Sequence, residues 1–243
     1  MRIILVNPQE PGNIGSAARV MKNFGLSDLW LVKPQCQLSK AAYYMATHAK
    51  DLVENATIVE TTREAVADRT FVLGTTARKR TSQSFDMFTP REAAEQIDRS
   101  KLAIMFGPEA SGLSNEDLDF CQAYVKIPTS QFASMNLAQA VNLIAYEFFV
   151  TANEDSPPTD DFATREELEH LYDLFVDVAY YTGYTDEGRS GKTEHMYRRI
   201  FDRARLSKRE VYALHGLWRQ MRWAAEQDPE KFPIYKKVVD RKS

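Results

Sequence analysis

Three short segments of this 243-residue chain carry residue types that can do chemistry together. Asn13-Ile14-Gly15, with Arg19 behind it, offers a side-chain amide, a position without a side chain and a permanent positive charge. Phe106-Gly107-Pro108-Glu109, with Gly112-Leu113, offers one carboxylate in a glycine-bounded loop. Ser134-Met135-Asn136-Leu137-Ala138 offers a hydroxyl and an amide where a helical pattern begins. Each segment follows a strand-like run and leads into a helix-like one. In an open α/β sheet, ligands bind where the carboxyl ends of strands meet such loops. The three segments therefore predict one composite site built from backbone amides, small residues and one fixed charge.

Taken singly, each segment has a plainer explanation. The Pro11–Ser16 loop after the first strand can bring backbone close to a ligand and aim helix amides at an anion. It can equally be an ordinary turn followed by a surface arginine. It is not GxGxxG and no Lys-Ser/Thr follows, so the dinucleotide and P-loop signatures are both missing. Glu109 can accept from backbone amides or from a ligand amine, or only brace its loop. Ser134 and Asn136 are residue types that start helices in any protein.

Positioning these segments requires a sheet. Ile3–Val6, Leu29–Val32, Thr57–Val59, Thr70–Leu73, Leu102–Phe106 and Tyr124–Ile127 read as short, continuously apolar strands, the pattern of strands buried on both faces. Thr61 with Glu64, Thr89-Pro90 with Glu92, and Ser114 with Asp117 carry helix-start spacing. The alternation predicts an α/β fold, a mostly parallel sheet with helices on both faces. A helix over about 136–152 places Leu137, Val141, Ile144, Phe148 and Phe149 on a broad apolar face, directed at the sheet or at a partner subunit.

Beyond that helix, Ala152–Asp161 is acidic and contains Pro157-Pro158, which reads as a linker. Thr164 with Glu167 opens an amphipathic helix that Gly183 can end. A second helix is expected from about Lys192 to Ala204 and a third from Ser207. The expected organisation is a first domain over 1–152, a linker over 153–163 and a small helical domain over 164–243. Between Glu154 and Asp186 ten acidic residues face one basic residue, Arg165; from Glu187 onward there are 15 basic and 8 acidic ones. A basic surface beside an acidic segment is expected, although the net charge is only −3.

Composition excludes other classes. Hydrophobic content of 44% supports a real core. Cys36 and Cys121 lie far apart without metal-spaced neighbours, so neither a disulfide framework nor a zinc site is expected. Met1–Val6 reads as a strand rather than a signal peptide, and no apolar run is long enough to span a bilayer. The expectation is a soluble, cytoplasmic protein without membrane or metal.

Together, in order and at fitting spacing, the three segments resemble the three motifs of the SPOUT superfamily, the trefoil-knotted RNA methyltransferases, and within it the TrmH/TrmJ family. The resemblance covers about residues 2–150. Val72-Leu-Gly-Thr-Thr-Ala-Arg-Lys-Arg80 supports it, and Tyr197–Arg205 is similar to the helical tail of that group. Ala133-Ser-Met-Asn136 departs slightly from the usual Ser-Ser-Leu-Asn.

The resemblance implies a trefoil knot in the C-terminal part of the first domain. It implies S-adenosylmethionine held by Thr75, Thr76, Ala77, Gly107, Ile127, Ala133, Ser134 and Met135, without a metal. It implies a homodimer that methylates the ribose 2'-hydroxyl of cytidine or uridine at position 32 of the tRNA anticodon loop. Another tRNA position or rRNA is the alternative, and a non-catalytic RNA-binding module or a dehydrogenase shares parts of the pattern. Arg19, Asn13, Ser134, Asn136 and Glu109 become the catalytic candidates. Arg19, Arg78, Lys79, Arg80, Arg198, Arg199, Arg203 and Arg205 become the RNA-binding ones. A guanidinium stays protonated, so Arg19 suits phosphate holding and alkoxide stabilisation better than proton abstraction.

Overall fold

A computed structural model describes residues 1–77, 86–131, 135–151 and 161–227. The chain divides into two compact units, Met1–Thr159 and Asp160–Ser243. The division falls inside the 153–163 stretch.

The first unit is built on strands β1 (Arg2–Val6), β2 (Asp28–Val32), β3 (Thr57–Val59), β4 (Phe71–Thr75), β5 (Asp86–Phe88), β6 (Leu102–Phe106) and β7 (Ala123–Val125). They form one sheet in the order β3-β2-β1-β6-β4-β7-β5. Every pairing in it is parallel. The central strands β1 and β6 are buried at all five positions, as their unbroken apolar runs require. Alternate residues feed two cores. Ile3, Leu5, Ile104 and Phe106 face one side with α1 (Pro11–Asn23), α2 (Lys40–Ala46), α3 (Lys50–Glu54), α5 (Pro90–Gln96) and α7 (Leu137–Val150). Ile4, Val6, Ala103 and Met105 face the other, with α4 (Thr62–Val66) and α6 (Asn115–Leu118). The chain lays down β4 first and only later inserts β6 between β4 and β1. Carboxyl ends of β4, β6 and β7 thereby come together.

Helix starts follow the expected chemistry. Thr61–Glu64, Thr89–Glu92 and Ser114–Asp117 each form reciprocal capping boxes. Three features differ from the sequence reading. The segment Pro11–Ser16 is not a loop: α1 begins at Pro11, with proline at its first position. Gly15 accordingly serves helix packing, because a Cβ there would lie 1.9 Å from the carbonyl oxygen of Ala42 in α2. Second, α2 and α3, joined by a short 3-10 turn over Thr47–Ala49, fill a region to which the sequence pattern assigned no element. Third, β5 went unforeseen; it is a three-residue edge strand, too short to show a period.

The second unit packs α8 (Arg165–Tyr181), α9 (Ser190–Ala204) and α10 (Lys208–Gln227) around Leu168, Leu171, Tyr172, Phe175, Val211 and Trp218. Thr164 and Glu167 box the start of α8, and Gly183 follows its end at φ +76°. Ser207 and Glu210 exchange the same reciprocal bonds before α10. An antiparallel bridge joins Phe162 to Ser207.

Candidate active site

Parallel strands end on one side of a sheet, and here that side holds a cavity of about 400 Å³. Its walls come from Thr75, Thr76 and Ala77 after β4, the 106–113 loop after β6, Val125, Ile127 and Thr129 around the end of β7, and Met135, Leu137 and Ala140 at the start of α7. Six residues expected to hold the methyl donor, Thr75, Thr76, Ala77, Gly107, Ile127 and Met135, all line it. Ala133 and Ser134 lie outside the described residues, as do Arg78, Lys79 and Arg80. Leu113 and Leu137, from the second and third motifs, line it too, and Thr129 and Ala140 are additional lining outside the three segments. Their apolar or small side chains read as ordinary core and turn residues in the sequence.

The loop after β6 is tightly made. At Gly107 a Cβ would fall 2.2 Å from the backbone nitrogen of Leu113, so only glycine fits. Gly112 adopts φ +69°, and its N–H donates to the carbonyl of Pro108 at 2.9 Å. This loop carries Glu109 to the cavity wall.

Glu109 joins all three motifs. Its Oε1 accepts from Asn13 Nδ2 at 2.8 Å, and its Oε2 accepts from the backbone N–H of Gln9 at 3.1 Å. Asn13 Oδ1 accepts in turn from Asn136 Nδ2 at 2.9 Å. Asn136 caps α7, its Oδ1 accepting from the N–H groups of Ala138 and Gln139. Partial burial works against the Glu109 charge, but the hydrogen bonds from Asn13 and from the backbone amides of Glu109 itself, Gln9 and Glu10 prevail and hold its carboxyl below the usual range. The Gln9 amide is a partner no side-chain motif could reveal.

Arg19 sits elsewhere. It is exposed in mid-helix on α1 and does not line the cavity. Among the described residues, no group of three or more His, Cys, Asp or Glu side chains is arranged to hold a metal ion.

Residues 1–146 match the SpoU rRNA methylase family. The chain belongs to that family. A SpoU-type relative from Photorhabdus laumondii, named tRNA (cytidine/uridine-2'-O-)-methyltransferase TrmJ, is 36% identical over 236 residues, covering 92% of this chain and 98% of the relative. The crystal structure of TrmJ from Zymomonas mobilis superimposes with a TM-score of 0.81 at 34% identity, covering 91% of this chain and 98% of that one. A more distant structure, described as giving insight into 2'-hydroxyl methylation of C/U34 on tRNA, has a TM-score of 0.53 at 26% identity and covers 63% of this chain and 97% of that one. The SpoU assignment accounts for the parallel α/β sheet and for the loop set at its carboxyl end.

In the helical unit one expected RNA contact, Arg198, has internal partners. Arg198 is mostly buried, and its Nη1 and Nη2 each donate to a Glu169 oxygen at 2.6 Å while Nε donates to Glu194 at 2.8 Å. Burial opposes its charge, but the two glutamates raise its pKa further. Its guanidinium fork is occupied by Glu169 and Glu194. Arg203 is exposed on α9, Arg199 is half-buried, and the Arg205 guanidinium lies 4.3 Å from the Phe162 ring.

Proposed function

We propose that this protein is an S-adenosylmethionine-dependent tRNA ribose 2'-O-methyltransferase acting on cytidine and uridine. The observation that carries this reading is the cavity at the ends of β4, β6 and β7, lined by the motif residues of a chain alike over nearly its whole length to proteins named for that reaction. The site fits the methyl donor: the volume suits a nucleoside-sized ligand, and Gly107, whose missing Cβ lets the loop fold back against Leu113, lines it. Thr75–Ala77, Gly107, Ile127 and Met135 would hold it; Ala133 and Ser134 are added by the family resemblance alone. S-adenosylmethionine supplies an electrophilic methyl group on a positively charged sulfur.

The chain's own task is positioning, which dominates an in-line displacement. Arg19 holds the nucleotide phosphate and stabilises the alkoxide as the ribose hydroxyl loses its proton to phosphate or water. Because Arg19 does not line the cavity of its own chain, it is read as serving the site of a second copy in a homodimer. The patch proposed to form that dimer lies on the expected helix and keeps Phe149, but the other exposed residues differ from those expected. Leu137, Val141, Ile144 and Phe148 are buried in their own core, whereas Leu143, Tyr146, Phe149 and Val150 are exposed, with the Phe24 ring edge-on to Tyr146 and tilted against Phe149. Insertion of β6 between β1 and β4 supports the trefoil-knotted path. No described helix is long and apolar enough to cross a membrane, and a cytoplasmic setting suits the tRNA substrate.

Position 32 is the target implied by the family resemblance; position 34 belongs to the more distant structure. Incubation with unmodified tRNA and labelled S-adenosylmethionine, followed by mapping of 2'-O-methyl groups, tests the reading. A methyl group on ribose of C32 or U32 is expected. Methylation on a base, or of rRNA fragments alone, would overturn it.

A further inference from the structure

The bonds among Asn136, Asn13 and Glu109 have a direction. The N–H groups of Ala138 and Gln139 demand an acceptor, so Asn136 presents its oxygen to them and its NH2 to Asn13. Asn13 must then offer its oxygen to Asn136, which leaves its NH2 for Glu109. Glu109 therefore faces two donors, Asn13 Nδ2 and the Gln9 N–H, one on each oxygen. No member can be reversed without placing donor against donor or acceptor against acceptor. We propose that Asn136, Asn13 and Glu109 form a one-way hydrogen-bond relay. It fastens the segment before α1, the cavity loop after β6 and the start of α7 to one another, and Glu109 acts in it as an ionised positioning residue, not as a proton acceptor. The inference rests on the proposed methyl transfer and refines it.

Several consequences distinguish this role from the others open to a cavity carboxylate. A general base works best with a pKa near the working pH, yet each Glu109 oxygen already accepts a structural hydrogen bond and its carboxyl is held below the usual range, which makes it a weak base. A partner for a ligand amine would need its charge at position 109 itself. A relay needs only the correct order of donors and acceptors. That order can be inverted on paper. In the double variant N13D/E109Q, the residue 13 carboxylate accepts from Asn136 and from the new residue 109 amide, whose oxygen still accepts from Gln9.

The test is a cycle on the full chain: E109Q, N13D and the double variant, compared in turnover of tRNA methylation, in S-adenosylmethionine affinity by calorimetry and in thermal midpoint. Each single variant is expected to lose about tenfold or more in turnover, and the double to return to within about threefold of the unaltered protein. The pH profiles should also diverge. Turnover of the unaltered protein falls as pH drops through the lowered Glu109 pKa, whereas N13D gains as pH drops, because a proton shared between its facing carboxylates restores a donor. A double variant as inactive as E109Q would overturn the relay in favour of a charge required at 109. An E109Q protein with normal turnover and midpoint would overturn it in favour of simple space filling. The midpoints read the same cycle without substrate. An unaltered protein that fails to methylate tRNA thus refutes the proposed function, while the relay stands or falls on whether N13D/E109Q regains the stability, or the folding itself, that the single variants lose.

Discussion

In the α/β unit, Asn13 and Asn136 join Glu109, which lines the cavity, and all three remain accessible to water. In the helical unit, Arg165, Glu169 and Asp202 meet where exposure is 0%, 2% and 2%. Arg165 donates to Asp202 at 2.6 Å and pairs with Glu169 at 2.8 Å; Tyr172 donates to Asp202 at 2.9 Å, and Arg198 closes the set through Glu169. Water can still reach the first network, so its members can meet a ligand. Solvent is shut out of the second, so its charges can satisfy only one another. The sequence had suggested the reverse emphasis, small polar turn formers in one unit and a surface of functional charges in the other. Arg165 is the lone basic residue of the acidic segment, and Asp202 is one of the few acids of the basic one. The exceptions to each charge run are the residues that became structural.

The largest effect should follow from breaking the buried network. Arg165→Ala leaves Glu169 and Asp202 buried without their shared cation, and loss of one partner of such a pair costs about 3–5 kcal/mol. Denaturant unfolding followed by helical circular dichroism should show the helical unit losing most of its stability. A midpoint unchanged from that of the unaltered protein would mean that the charges there are solvated after all.

A smaller, local effect is expected at the cavity. Gly107→Ala places a methyl group 2.2 Å from the Leu113 nitrogen, so the loop must move. Affinity for S-adenosylmethionine should fall roughly thirtyfold, about 2 kcal/mol, with secondary structure retained. Unchanged calorimetric affinity would separate the cavity loop from donor binding.

Much of this arrangement was legible beforehand, for definite physical reasons. Apolar runs announced six of the seven strands, the inner ones because buried parallel strands need them and β3 although it is an exposed edge strand, and capping boxes announced α4, α5, α6 and α8 because a helix start must satisfy its own amides. The cavity lining at Thr75–Ala77, Gly107, Ile127 and Met135 followed from the motif resemblance. Other features were not legible, among them α2 and α3, which follow no pattern read from the sequence. Edge strand β5 is too short to show a period. Gly15 looked like a ligand-facing turn because close packing on α2 leaves the same sequence mark as close approach to a ligand. Arg198 looked like a phosphate contact because sequence shows its charge but not the Glu169 fork 29 positions away that consumes it.

Acid should act on the amino ends of the strands, the end opposite the cavity. Asp68 pairs with Arg2 and with Arg69. Burial there raises its pKa, but the hydrogen bonds from Arg69 and Arg2 outweigh it and bring the pKa down from 3.8 to about 2. A depressed carboxyl pKa stabilises the folded state above the unfolded value, and that contribution fades as pH falls toward the folded value. The urea midpoint should therefore drop between pH 4 and pH 2, and Asp68→Asn should flatten that part of the curve. An identical slope in the variant would place the acid sensitivity elsewhere.

The smallest expected effect discriminates between two arginines five positions apart on α9. Arg203 is exposed, so Arg203→Ala should leave folding nearly unchanged. If it touches a tRNA phosphate, the variant should bind tRNA less tightly by about 1 kcal/mol or less, and the slope of log affinity against log salt should shrink by about one charge. Arg198→Ala should behave in the opposite way. It strips Glu169 of one of its two cations at 2% exposure, so stability falls first, and any loss of tRNA binding should track the unfolded fraction rather than the salt slope. Measuring tRNA affinity at several salt concentrations, at a temperature where both variants are folded, separates the two cases. An unchanged slope for Arg203→Ala together with a reduced one for Arg198→Ala would exchange their roles: it would mean that the Glu169 fork opens when RNA binds.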